Sequence, residues 1–195
     1  MADQAEKVVL DRGDVRRTLV RIANEIVEKN PAPGSLALVG IHTRGALLGR
    51  RVHALVGELS GSPVPLGDLD ISFYRDDVDA RDPGDQPVVH ASHLDFDLDG
   101  ATVVLVDDVL YTGRTVRAAI DALFDYGRPG RVQLAVLVDR GHRELPIRPD
   151  YVGKNLPTGR EERVFVRLEE ADGVDEVAIG PRPRSIVGAE TGGER

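Results

Sequence analysis

Residues 103–115 read VVLVDDVLYTGRT, and the reading of that stretch decides the fold. Val103, Val104, Leu105 and Val106 have the continuous apolar character of a strand buried on both faces. They run directly into Asp107 and Asp108. Adjacent carboxylates repel one another, so the pair is costly unless a shared partner draws on both. Gly113, set between Thr112 and Arg114-Thr115, then marks a turn into a helix. Val116, Ala119, Ile120 and Leu123 form its apolar face, and Gly127 with Pro129 stops it near Tyr126. Strand, turn and helix in that order are the unit of an α/β protein.

The unit recurs upstream. Residues 36–41, LALVGI, are another short apolar run, followed by His42-Thr43-Arg44-Gly45 and a helical pattern through Leu47, Leu48, Val52 and Leu55. Before it, Asp11 or Asp14 can cap a helix whose face is Val15, Leu19, Ile22 and Ile26, ended by Pro31, Pro33 and Gly34. Downstream, Asp99-Gly100 launches the central strand, expected from Thr102 to Val106, and VQLAVLV at 132–138 gives a further buried strand ending at Asp139. Residues 69–74 alternate and predict a strand. Residues 163–168 and 177–179 predict two more. The class is α/β, with a largely parallel central sheet flanked by helices, in a single domain over residues 1–180.

Three segments fall outside that pattern. Residues 75–87, RDDVDARDPGDQP, are polar and aperiodic, so a long mobile loop, either a lid or a disordered spacer, is expected over about 75–90. Residues 140–159, RGHRELPIRPDYVGKNLPTG, are irregular and rich in cations. Residues 181–195 bury too little apolar area to fold, and a disordered tail is expected there.

Composition narrows the function. The chain has 195 residues, is 41% hydrophobic and only 4% aromatic, so its core is aliphatic. No apolar run approaches the ~20 residues needed to cross a bilayer. The opening MADQAEKVVLDRGD lacks the basic-then-apolar layout of a signal peptide. A cytoplasmic protein without membrane partners is expected. The absence of cysteine excludes disulfides and thiolate metal sites, and the five histidines lack ligand spacing, so no protein-held metal is expected. A net charge of −8 argues against wholesale binding of nucleic acid. The cations are nearly all arginine, Lys7, Lys29 and Lys154 apart.

In parallel sheets ligands bind outside the carboxyl ends of the strands. Thr43-Arg44, Asp107-Asp108 and Asp139-Arg140 therefore open on one side. Backbone N–H groups at the turn of Thr112, Gly113, Arg114 and Thr115, with two hydroxyls, form a phosphate cradle, and Gly113 lets the anion come close. Carboxylates do not bind phosphate, so Asp107 and Asp108 should grip what is attached to it, hydroxyls or magnesium. A phosphorylated sugar satisfies both halves. A P-loop NTPase would need G-x-x-x-x-G-K-[ST], which is missing, as is G-x-G-x-x-G. Helix capping would explain one carboxylate but not the second, nor the doubled threonine.

VVLVDDVLYTGRT resembles the phosphoribosyl-pyrophosphate motif of the type I phosphoribosyltransferases. With GIHTRGALLGRR, DISFYRDD, TVRAAIDAL and LVDRGHRELPIRPDYVGKNLPT, the chain resembles the family of pyrimidine-operon regulators with uracil phosphoribosyltransferase activity (PyrR), from about Val8 to Leu168. The resemblance implies the type I phosphoribosyltransferase fold, with a small hood at about 139–160. It implies transfer of ribose 5-phosphate from phosphoribosyl pyrophosphate to uracil, giving UMP and pyrophosphate, with Mg2+ bridged by substrate. Asp107 and Asp108 would hold the ribose hydroxyls and Thr112, Gly113, Arg114 and Thr115 the 5-phosphate, with Val109 and Tyr111 also binding substrate. Thr43, Arg44 and Gly45 would hold pyrophosphate, Arg44 offsetting its charge, and Arg75 would close with the lid. Asp139 and Arg140 would open the hood onto the base. The resemblance further implies a homo-oligomer, dimer or larger, that binds leader mRNA of pyrimidine genes when uridine nucleotides are plentiful. Arg16 and Arg17 on the first helix, and His142, Arg143, Arg148 and Lys154 in the cationic segment that also holds Arg160 and Arg163, are the RNA candidates. A regulator with negligible turnover, or a transferase for another base, is the alternative.

Overall fold

A computed structural model describes residues 6–74 and 92–181. The first helix, α1 (Arg12–Lys29), starts where the sequence offers a reciprocal cap. The Asp11 carboxylate accepts the Asp14 N–H at 2.8 Å and the Asp14 carboxylate accepts the Asp11 N–H at 3.2 Å. Its apolar stripe, Val15, Leu19, Ile22, Ala23 and Ile26, is buried.

The main sheet holds β2 (Leu36–Ile41), β3 (Leu66–Leu69), β4 (Thr102–Leu110), β5 (Arg131–Asp139) and β6 (Tyr151–Asn155), in the order β3-β2-β4-β5-β6. Every neighbouring pair is parallel. Alternate residues of the central strand serve opposite layers, as the period of two requires. Val104 and Val106 pack with α1 and with α2 (Arg44–Ser60), while Val103 and Leu105 pack with α3 (Arg114–Leu123). The all-aliphatic runs noted in the sequence are thus strands covered on both faces.

A second, antiparallel sheet of order β1-β8-β7 joins the two ends of the described chain. It consists of β1 (Lys7–Leu10), β7 (Glu162–Arg167) and β8 (Glu176–Pro181), with the single-turn α4 (Glu169–Asp172) between the last two.

Four sequence readings are corrected. The strand expected at 69–74 lies at 66–69. Beyond it the Asp70 carboxylate accepts both the N–H and the hydroxyl of Ser72, at 2.7 and 2.6 Å, a turn that ends the strand. The central strand does not stop at Val106 but carries Asp107 and Asp108 within it, because β5 pairs alongside as far as Leu110 opposite Asp139. The helix α3 ends at Leu123, and residues 124–126 are turn. The segment read as irregular contains β6, an edge strand of the main sheet, so residues 151–155 belong to the core layer. The expected lid (75–90) with Arg75, and all of the tail after Pro181, lie outside the described residues.

Candidate functional site

Glycines bring the first strand–helix turn to the carboxylates. A Cβ on Gly45 would lie 2.5 Å from the Val106 carbonyl and 3.2 Å from Asp107 Oδ1. Gly40 meets the same helix just as closely, its Cβ position 2.5 Å from the Ala46 Cα. Only residues without side chains let α2 approach β4 this far, and the Thr43–Gly45 turn therefore abuts Asp107. The bond between His42 and Thr43 is a cis peptide. Thr43 precedes α2 without capping it through its side chain.

Asp107 is buried at 5% exposure, and its Oδ1 accepts the N–H of Asp108 at 2.9 Å. Asp108, half-buried, accepts the N–H of Val109 at 2.8 Å. Each carboxylate is thus held by the next backbone amide. After Leu110 the chain turns through Tyr111 and Thr112 to Gly113, whose φ of 95° is the left-handed conformation that a side chain would oppose. Thr112 accepts the Arg114 N–H through its hydroxyl at 3.3 Å, and its carbonyl accepts the N–H groups of Glu144 and Leu145 at 3.0 and 3.1 Å. The turn opening α3 is therefore tied to the loop that follows β5.

That loop is a second wall. Arg140, 7% exposed, donates to Thr158 Oγ1 at 3.0 Å and to the carbonyls of Gly159 and Glu162 at 3.2 and 2.8 Å. Its guanidinium lies 4.1 Å from the Tyr111 ring centroid, and His142 meets the same ring edge-on at 5.9 Å. Together these surround a cleft of about 530 Å³. Asp107, Val109, Tyr111, Thr112, Gly113, Arg114, Thr115 and Arg140 line it, and Arg160 of the preceding turn with Glu162 and Arg163 at the start of β7 closes it. Four arginines against three acids along its wall favour an anionic ligand.

Several candidates fall elsewhere. Arg44 turns towards the small sheet and donates to Asp172 at 2.8 Å, and its Nε is buried with no hydrogen-bond partner. Asp139 accepts the Gly141 N–H at 3.0 Å and pairs with Arg143 at 2.5 Å. Arg143 and His142 are half-buried and direct side-chain hydrogen bonds to the loop itself. Arg143 also donates to the carbonyls of Tyr111 at 2.9 Å and Ile147 at 3.0 Å, and His142 Nε2 lies 2.6 Å from the Thr158 carbonyl. Their cationic or donor groups satisfy main-chain carbonyls that a loop would otherwise leave to water. Arg160 and Arg163, from the same basic segment, line the cleft instead. Arg16, Arg17, Arg148 and Lys154 are exposed. Glu144 and Glu162 are cleft residues that the sequence did not reveal: acids in a cationic loop read as solvated charge until β7 folds back over β4.

Residues 10–169 match the phosphoribosyl transferase domain family. The chain is 60% identical over 175 residues to the bifunctional protein PyrR of Roseiflexus sp. (strain RS-1), covering 89% of this chain and 94% of that one. To the PyrR of Chloroflexus aurantiacus it is 58% identical over 174 residues, with 89% and 94% covered. Among solved structures it is similar in fold to the hypoxanthine phosphoribosyltransferase of Trypanosoma cruzi, at a TM-score of 0.69 and 18% identity, covering 91% of this chain and 98% of that one.

Proposed function

The chain belongs to the phosphoribosyl transferase domain family, in its PyrR branch, and we propose that it makes UMP from uracil and phosphoribosyl pyrophosphate and regulates pyrimidine genes by binding their leader mRNA. The observation that carries the catalytic half is one cleft lined by Asp107 and by the turn Thr112–Thr115, with the Thr43–Gly45 turn pressed on that same Asp107 through Gly45.

In this reading the C1–oxygen bond to pyrophosphate breaks as a bond from C1 to uracil N1 forms, through an oxocarbenium-like sugar, and the N1 proton is released to the departing pyrophosphate or to water. Asp107 and Asp108 accept the 2- and 3-hydroxyls, and their negative field favours the cationic ring. Thr112, Gly113, Arg114 and Thr115 hold the 5-phosphate through backbone N–H groups and hydroxyls at the start of α3. Thr43, Arg44 and Gly45 hold the leaving pyrophosphate. Asp139 and Arg140 shape the base end beside Val109 and Tyr111. The described residues contain no group of three or more His, Asp or Glu able to cage a metal. The hard oxygen donors of Asp107 and Asp108 suit Mg2+ that is shared with substrate oxygens, and Mg2+ would neutralise charge on the departing pyrophosphate.

RNA would lie on the exposed cations Arg16, Arg17, Lys154 and Arg148, with UMP in the cleft as signal. We place the protein in the cytoplasm as a dimer or larger assembly. No helix among the described residues is long and apolar enough to cross a membrane. The test incubates protein, Mg2+ and phosphoribosyl pyrophosphate with labelled uracil, with hypoxanthine and orotate competing. UMP as sole product is expected. Binding of UMP without product from any base would leave a regulator without turnover.

A further inference from the structure

His42 has no part in the scheme above, yet it leads directly into the turn assigned to pyrophosphate. Its N–H donates to the Leu69 carbonyl at 3.0 Å, which extends the β2–β3 pairing by one step. Its side chain turns to the same neighbour, with Nε2 2.7 Å from Asp68 Oδ1. Both side chains are mostly buried, at 15% and 18% exposure. Asp68 is in turn held from outside its strand. It exchanges two backbone hydrogen bonds with His93, at 3.0 and 2.9 Å, and His93 Nδ1 lies 3.1 Å from the same carboxylate oxygen. Arg50 of α2 approaches the other oxygen at 3.9 Å. Burial pushes the Asp68 carboxyl up, but the hydrogen bonds from His42 and His93 outweigh it and hold the group below its ordinary range. It is an anion at neutral pH.

The Thr43–Gly45 turn is therefore fixed at three points. Gly45 is pressed on Val106 and Asp107, Arg44 is drawn to Asp172, and His42 is tied to Asp68. At the start of the turn the first two give no hold; there the backbone bond of His42 to Leu69 fixes position and the side-chain pair with Asp68 adds a second hold that limits rotation. We infer that Asp68 is a positioning residue for the leaving group: acting through the His42 ring, it orients the backbone N–H groups of Thr43, Arg44 and Gly45 towards pyrophosphate without touching it. The inference rests on the reading of that turn as the pyrophosphate site. Misdirected donors bind a multiply charged anion poorly, and a shift of about 1 Å can cost on the order of 100-fold in rate.

The experiment compares Asp68→Asn, Asp68→Glu, His42→Gln and Arg44→Ala in the full chain. It measures calorimetric affinity for phosphoribosyl pyrophosphate with Mg2+, affinity for UMP, and steady-state constants. Asp68→Asn and His42→Gln should each weaken phosphoribosyl pyrophosphate by about tenfold and raise its KM to match. UMP, which carries no pyrophosphate, should keep its affinity within about twofold, and Asp68→Glu should recover most of the loss. Unchanged phosphoribosyl pyrophosphate affinity in both variants, or an equal loss for UMP, overturns the inference. His42→Gln, which leaves the β3 carboxylate in place, decides the matter should Asp68→Asn fail to fold. Arg44→Ala separates the two levels. If it weakens phosphoribosyl pyrophosphate and the others do not, only the positioning role is wrong. If all four variants leave phosphoribosyl pyrophosphate affinity unchanged, the assignment of the turn falls and takes the inference with it.

Discussion

At the scale of single residues, Arg143 shows how much of a cation's role depends on where its chain turns. By composition it belongs to a basic, RNA-facing segment. In the fold its guanidinium spans Asp139, Tyr111 and Ile147, and so binds the loop after β5 to the loop after β4. Arg143→Ala should therefore cost about 1–3 kcal/mol of stability and lower UMP synthesis together with RNA binding. Thermal denaturation and the two assays check this; a selective loss of RNA binding would return Arg143 to the RNA surface. Asp108 is the opposite case. Its Oδ1 accepts the Val109 N–H, a bond that an amide oxygen can also accept. Asp108→Asn should leave the melting temperature nearly unchanged and lower kcat by about 100-fold, because charge at the sugar is lost while shape is kept. Wild-type turnover would mean that the carboxylate is structural.

Elements differ in legibility for physical reasons. Strand β2 and the first two helices could be read because strands covered on both faces are uniformly apolar and surface helices are periodic. β6 could not. As an edge strand, YVGKN buries only Tyr151 fully and leaves Lys154 and Asn155 exposed, so no run or alternation marks it. The small sheet was hidden for another reason: β1 pairs with β8 across most of the chain's length, and local pattern says nothing of that. The turns proposed to bind substrate were legible because phosphate cradles draw on Gly and Thr in sequence. The wall contributed by β7 was not, because it reaches the cleft only through tertiary pairing. The proposed RNA face also depends on the missed strand. α1 lies on β6 through Arg21, which donates to the carbonyls of Val152 and Gly153 at 3.0 and 2.6 Å. Arg16 on that helix and Lys154 on that strand should thus act on one ligand. Replacing both with Ala should weaken leader-RNA binding, reduce the salt slope of log affinity by about 2, and spare UMP synthesis. Filter binding across a salt series reads both; an unchanged slope would put the RNA elsewhere.

For the whole molecule the question is what holds two sheets as one catalytic unit. The junction is charged. Arg51 of α2 forms paired hydrogen bonds to Glu170, at 2.9 and 2.5 Å, and to Asp175, at 3.0 and 2.7 Å. Arg44 joins Asp172, and Arg12 approaches Glu169 at 3.5 Å. The helix that begins at the Thr43–Gly45 turn is thereby clamped to the turn joining β7 to β8, while the start of β7 closes the cleft. Hydrogen bonding to Arg51 holds the Glu170 carboxyl below its usual range. Burial pushes Asp175 up, but Arg51 and the Glu169 N–H outweigh it, and its pKa is lowered too. Both groups bind protons more weakly when folded than when unfolded. Their stabilisation is therefore complete above the ordinary carboxylate pKa of about 4 and is lost as pH falls through the lowered values. Arg51→Ala leaves Asp175 mostly buried without its cation and should cost about 2 kcal/mol at neutral pH, less than for a fully buried pair because Glu170 is half in water. Melting temperatures of wild type and variant measured from pH 7 downward should converge as the acid limb is reached. Curves that stay parallel throughout would mean that the junction is held by packing and that its charges are incidental.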